Sequence, residues 1–349
     1  MSETETPMRV LFVSAIYAHD RLWGAEKTLL MTVKQLRDHP SVECKVIVSP
    51  ESALAPVLRE EGVSVAEIPI RTFSFRRPSA IASFLKSVRA VRREILRYRP
   101  DVVDANELAA NQVATPAAAL TGIPVVTHIR HCWPRWPYLA CLGALSKGVI
   151  TASRAVASSV GLDPDSQRCS AIYHPVTVPG RFTEGAREAV RRELGVPKEA
   201  ILCVVAARVG HGKGQDLLLK ALKSASAERK DIYAVIAGEP VPQPDGNEWQ
   251  RSLLALSRSE ELSGRVIFPG FVDEIEALYS AADLSILPSR SEALGRAITE
   301  ALACGTPCIG TDLGGIPEII QDGVTGFLFE PEDHEELSER ILRLASDPA

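Results

Sequence analysis

Two glutamates and two cations dominate the chemistry that this 349-residue chain could perform. Residues 288–326 read PSRSEALGRAITEALACGTPCIGTDLGGIPEIIQDGVTG. Glu292 falls in the loop after an apolar run that ends at Leu287, Gly295 stands near the start of the next helical pattern, and Glu300 lies inside it. A strand–loop–helix unit aims free backbone N–H groups and the positive end of the helix dipole at whatever lies above it, which favours a phosphate. Gly295 lets the backbone come close to such a group. A carboxylate only accepts hydrogen bonds and can take two from neighbouring hydroxyls, so a glutamate beside that unit suits a sugar or ribose diol.

An anion also asks for cations. Arg208 ends an apolar run, Ile201–Ala207, and Lys213 follows within RVGHGKG. An arginine fork with a lysine point charge matches a diphosphate. The GHGKG stretch is not a Walker loop: the spacing to an earlier glycine fails, and Gly214 stands where Ser or Thr is needed. No G-x-G-x-x-G follows the first strand, which argues against a nicotinamide oxidoreductase.

These residues need a scaffold, and the chain supplies a repeating one. Strand-like runs (Arg9–Ile16, Lys45–Ser49, Val63–Ile68, Val102–Ala105, Val125–Ile129 and Gly148–Thr151) alternate with helical patterns. Periodicity pauses over YHPVTVPGRF, Tyr173–Phe182, then restarts with Ile201–Ala207, Tyr233–Ala237, Val266–Phe268, Leu284–Leu287 and Pro307–Gly310. The pattern predicts an α/β protein of two doubly wound parallel-sheet domains, 1–178 and 179–349, facing a central cleft with ligands at the carboxyl ends of the strands. At 46% hydrophobic and 24% charged, the composition is that of a globular protein. A net charge of −5 argues against a dedicated nucleic-acid binder, although residues 1–180 carry +5 and the remainder −10. Seven scattered cysteines without a C-x-x-C pair fit a reducing compartment. MSETETPM has no apolar core, and no run of about 18 apolar residues occurs, so the reading is a cytoplasmic chain.

On these residues the sequence resembles glycosyltransferase family 4, retaining sugar-nucleotide enzymes of the GT-B fold. The likeness rests on Glu292 and Glu300 as an E-x7-E pair, Ala303–Thr306 (ACGT), Asp312–Glu318 (DLGGIPE), Asp322–Gly326 (DGVTG), Arg208 with Lys213, and Gly24–Glu26 (GAE). The resemblance implies that Arg208 and Lys213 hold the donor diphosphate and that Glu300 bonds the ribose. Glu292 would contact the transferred sugar beside the backbone of Ala293, Leu294 and Gly295. Gly24 would let the first loop approach the donor phosphate or the acceptor. A histidine follows the fifth strand in many members. Here the segment reads THIRH, so His128, Arg130 or His131 could each take that place. Trp23 replaces a family glycine, Ala293–Leu294 replaces Gly–Phe, and His174 stands at a common asparagine. The implied reaction is retaining transfer to a sugar, lipid-linked or other hydroxyl acceptor, in cell-envelope polysaccharide or glycolipid synthesis. It needs no metal if protein cations neutralise the leaving phosphate, and no cofactor beyond the donor. The family's last helix crosses back to the first domain, whereas this chain ends at Ala349 after the helical pattern Glu335–Leu344, so that crossover is expected to be missing. Two alternatives share the fold: a nucleotide-sugar epimerase and a non-catalytic partner subunit.

One further feature lies outside that site. Arg71–Arg99 holds nine basic residues against one acid, Glu94. On a helix, Ile81, Phe84, Val88, Val91 and Ile95 share one face and Lys86, Arg89, Arg93 and Arg97 the other. That basic face suits a solvated surface or peripheral contact with an anionic membrane. The WPRW stretch, Trp133–Trp136, suits loop packing or acceptor stacking.

Overall fold

The computed structural model describes residues 6–15, 22, 24–73, 80–132, 145–180, 182–240 and 246–346. Trp23, Arg76, Arg77, Cys141 and the WPRW stretch lie outside them. The chain divides into two compact units, Met1–Pro175 and Val176–Ala349.

The first unit holds a seven-stranded sheet, β1 (Met8–Val13), β2 (Val42–Val48), β3 (Ser64–Glu67), β4 (Val102–Asn106), β5 (Val125–Ile129), β6 (Gly148–Thr151) and β7 (Cys169–Ala171). Their order is β3-β2-β1-β4-β5-β6-β7, and every pairing is parallel. Strand β1 shows why these runs read as continuously apolar. Leu11 and Val13 pack with Val88, Val91 and Ile95 on one side, while Val10 and Phe12 pack with Leu29, Val33, Leu54 and Leu58 on the other. A strand covered on both faces has no polar side to alternate with.

The helix Ile81–Tyr98 docks through Val88, Val91, Ile95 and Tyr98. The expectation for Ile81 fails. It sits at the first turn of the helix and is 50% exposed. Lys86, Arg89, Arg93 and Arg97 are all exposed as expected, and Leu85 and Leu96 stand exposed among them.

The second unit repeats the plan with six parallel strands, β8 (Ile201–Ala206), β9 (Ile232–Ala237), β10 (Val266–Gly270), β11 (Leu284–Leu287), β12 (Cys308–Thr311) and β13 (Gly326–Phe329). The order β10-β9-β8-β11-β12-β13 places the reversal of winding between β8 and β11. In the first unit the same reversal falls between β1 and β4. At such a point the loops leaving the two central strands diverge to opposite faces and open a crevice at their carboxyl ends. Arg208 and Lys213 follow β8, and Glu292 follows β11. None of the described helices is long and apolar enough to cross a membrane.

Candidate functional site

At the switch point of the second sheet, Lys213 and Glu292 meet. The lysine Nζ donates to Glu292 Oε2 at 2.6 Å, and Ser289 Oγ adds a second bond to the same oxygen at 3.3 Å. Lys213 closes a one-turn 3-10 helix, His211–Lys213, that leads through Gly214 into the helix Gln215–Ala225. Buried Gln215 holds this loop in place: its Nε2 donates to the Arg208 carbonyl at 2.9 Å. Two glycines brace the loop of Glu292 from either side. Gly214, at φ 64°, lies so close to Pro288 that a Cβ would overlap the Pro288 carbonyl oxygen. Gly314, at φ 57° in the DLGG stretch, stands in the same relation to the carbonyl of Glu292.

The other expected residues of this unit surround the pair less tightly. Gly295 caps the helix Arg296–Ala303 at its amino end. Ala293 is half-buried, while the Leu294 side chain is in the core, so Leu294 offers its backbone alone. Arg208 is exposed on the cation loop. Glu300 pairs with Arg296 one turn earlier, Nη2 to Oε1 at 2.8 Å, which leaves Oε2 for another donor. Arg296 was not expected from the sequence. An arginine four residues before a glutamate in a helical pattern is the signal that marks it.

The first unit carries a separate polar cluster at its own switch point. Arg130 is buried at the end of β5 and fans across three partners. Its Nε donates to Asn106 Oδ1 at 3.1 Å, Nη1 lies 3.0 Å from His174 Nε2, and Nη2 lies 3.2 Å from His128 Nδ1. Of the three residues in THIRH, His128 and Arg130 therefore converge, while His131 is exposed. Burial first, then the Arg130 charge, push His128 well below the ordinary histidine range, so it is neutral. With Nδ1 facing a guanidinium donor, the ring proton belongs on Nε2, a buried atom with no hydrogen-bond partner among the described residues. Gly24 opens the helix Gly24–Arg37, and the Glu26 of the GAE motif is fully buried beside the cluster.

Sequence reasoning missed two acids here. Glu107 leaves β4 at φ 123°, a strained conformation for a residue with a side chain, and its Oε1 accepts from the Ala15 N–H at 3.1 Å. That bond ties the loops after β4 and β1 together. Burial pushes Glu107 up to about 7, against the opposing bond from Ala15 and the charge of Arg130. Asp104, three residues earlier in β4, is also pushed up to about 7 by burial, with Arg130 opposing. The run VDANE, with its acids at a strand end, was the available signal.

A folded-state pKa above the ordinary value of 3.8 means that the native state holds the Asp104 proton more tightly than the unfolded chain. This contribution is full below about pH 4 and lost as pH rises through about 7. Asp104→Asn should therefore stabilise the protein at pH 8, by roughly 2 kcal/mol more than at pH 5, given about 1.4 kcal/mol per pKa unit. Thermal unfolding at the two pH values checks it, and an equal shift at both would contradict the buried-acid account. Arg130, the charge that opposes the shift, remains in the variant.

Comparison with known proteins agrees with this architecture. Residues 24–161 match the family Glycosyl transferase 4-like domain, and residues 186–349 match Glycosyl transferases group 1. The D-inositol 3-phosphate glycosyltransferase of Thermobispora bispora is 29% identical over 300 residues, 78% of this chain and 68% of that protein. Its counterpart in Saccharomonospora viridis is 34% identical over 176 residues, 48% of this chain and 40% of that protein. Among solved structures, Anabaena HepE in complex with UDP aligns with a TM-score of 0.82 at 24% identity, covering 97% of this chain and 90% of that one. Two Rossmann-like parallel sheets in succession, matched over nearly their whole length by such a structure, define the GT-B class. Within that class the chain belongs to the glycosyltransferases of the family 4 type, its two halves matching that family's two domains in order.

Proposed function

We propose that this glycosyltransferase moves a sugar from a nucleoside-diphosphate donor to a hydroxyl of a sugar or lipid-linked acceptor, with retention of configuration and without a metal or other cofactor. The observation that carries the reading is the Lys213–Glu292 pair at the switch point of the second sheet, beside a helix amino terminus. In this reading residues 179–349 form the donor side and 1–178 the acceptor side. Lys213 and Arg208 take the diphosphate. Glu292, with the backbone of Ala293, Leu294 and Gly295, takes the transferred sugar. The free oxygen of Glu300 takes a ribose hydroxyl. His128 and Arg130 serve the reacting sugar or the acceptor, and Gly24 gives the first loop room to approach.

The chemistry follows from charge. As the sugar–oxygen bond breaks, negative charge grows on the leaving phosphate, and in this reading the Lys213 ammonium, the Arg208 guanidinium and backbone N–H groups meet it. The leaving phosphate oxygen accepts the proton of the attacking hydroxyl on the same face of the sugar.

A thermal-shift panel of UDP-, GDP- and ADP-sugars tests the reading. A ligand at 100 times its Kd adds about 2.7 kcal/mol of stability. A rise in melting temperature with one nucleotide family is expected, and no response to any of them would remove the donor assignment. UDP compounds are the first choice, since HepE was solved with UDP. Incubation of the best ligand with and without acceptor, followed by product analysis, distinguishes transfer from epimerisation.

The basic face of Ile81–Tyr98 supports peripheral membrane contact of a cytoplasmic protein. Exposed Leu85 and Leu96 beside Lys86, Arg89, Arg93 and Arg97 combine insertion with attraction of about 1 kcal/mol per charge. Cosedimentation with vesicles rich in phosphatidylglycerol is expected at low salt and should fade at high salt. Absence of binding at low salt would refute it.

A further inference from the structure

Arg290 lies two residues before Glu292, and all five of its guanidinium N–H groups are occupied. Nε donates to Glu332 Oε1 at 2.5 Å, and Nη2 reaches Glu332 Oε2 at 2.9 Å. Nη1 and Nη2 also grip Asp216 Oδ1 and Oδ2 as a fork, at 2.7 and 2.9 Å. The remaining Nη1 proton goes to the His211 carbonyl at 2.9 Å, and the Arg290 backbone N–H donates to the Gly212 carbonyl at 2.9 Å. The side chain is 15% exposed. One residue thus fastens three segments: the turn that carries Lys213, the first turn of the helix behind it, and the loop after β13. Glu332 adopts a left-handed φ of 67° in that loop. Such a backbone is strained for a residue with a Cβ, and the fork to Arg290 is the interaction that offsets it.

The charge count decides what Arg290 is for. Two carboxylates share its one positive charge, and every donor is spent, so it has nothing left for an incoming phosphate. Its bonds end instead on the backbone of His211 and Gly212, the two residues before Lys213. We infer that Arg290 is a positioning residue that holds the turn carrying Lys213 beside the loop of Glu292, so that the ammonium is fixed where a diphosphate can replace the carboxylate. The inference rests on the donor-site reading above and names the element that makes that site rigid. A lysine could not replace it, because three donors on a single nitrogen cannot span two carboxylates and a carbonyl.

The test is a ratio. Calorimetry gives Kd for UDP against UMP, with GDP/GMP and ADP/AMP beside them, for the wild type, Arg290→Lys, Arg290→Met and Glu332→Gln. The wild type is expected to prefer one diphosphate over its monophosphate by tenfold or more. Both Arg290 variants should lose most of that preference while the monophosphate Kd stays within about twofold. Glu332→Gln, which touches an exposed carboxylate and leaves the fork to Asp216, should lose about threefold and keeps the test alive if an Arg290 variant does not fold. An unchanged preference in the variants, or equal weakening of both nucleotides together with a lower melting temperature, overturns the inference and leaves the donor site standing. A wild type that binds no diphosphate removes the donor site and the inference with it.

Discussion

Lys213→Ala is expected to slow sugar transfer by about 10² to 10³, the usual effect of losing one preorganised group that meets developing charge. The ammonium stands on a turn fixed by Gln215 and Arg290, so the variant keeps its loop and loses the charge together with its bond to Glu292. The loss should fall on kcat more than on the donor KM, because the leaving phosphate gains charge only as the bond breaks. Lys213→Arg keeps a cation but in a wider fork, and should recover part of the rate. Turnover of the sugar nucleotide selected by thermal shift, measured with acceptor at saturation, gives both constants. Wild-type kcat in Lys213→Ala would end the assignment.

Gly214→Ala and Gly314→Ala should be among the most destabilising small substitutions in the second unit. Each requires a Cβ at positive φ, worth about 1 kcal/mol, and each drives that Cβ into a carbonyl oxygen of the Pro288–Glu292 loop. The backbone has to shift, so roughly 2–4 kcal/mol is expected in all, a fall in melting temperature of about 5–15 °C. Gly305→Ala is the control: it has a similar φ, 81°, with open space around it, and should cost about 1 kcal/mol. Equal melting temperatures for the three variants would show that the close approaches do not matter. Because both glycines press on the loop that carries Glu292, their variants should also bind a nucleoside diphosphate more weakly than the control.

What the sequence disclosed was local. Val125–Ile129, Gly148–Thr151 and Leu284–Leu287 coincide with observed strands because buried parallel strands are apolar throughout and end sharply. Strands β7 and β13 escaped notice. β7 has three residues, and β13 begins inside the DGVTG motif, whose turn residues mask its start. Glu292 and Lys213 were legible as candidates because each follows a strand end. Their contact at 2.6 Å was not, because it joins residues 79 apart through a sheet order that no local pattern encodes. The same holds for Arg290, which reads as one more surface arginine until Asp216 and Glu332 are brought to it. Asp104 and Glu107 were passed over as ordinary charges, and only burial gives them their altered acidity.

The salt bridge between Lys213 and Glu292 has a consequence for selectivity among anions. Before anything binds, the ammonium already has a tethered counterion, so a newcomer must first evict that carboxylate. Inorganic phosphate and other small metabolite anions meet this toll with a single point of attachment. On the donor-site reading a sugar nucleotide meets it with two, since its diphosphate replaces the carboxylate at the ammonium and the displaced glutamate is freed to accept from the sugar that arrives with it. In that reading the resting pair disfavours single small anions and yields to a molecule that brings a new partner for both of its halves.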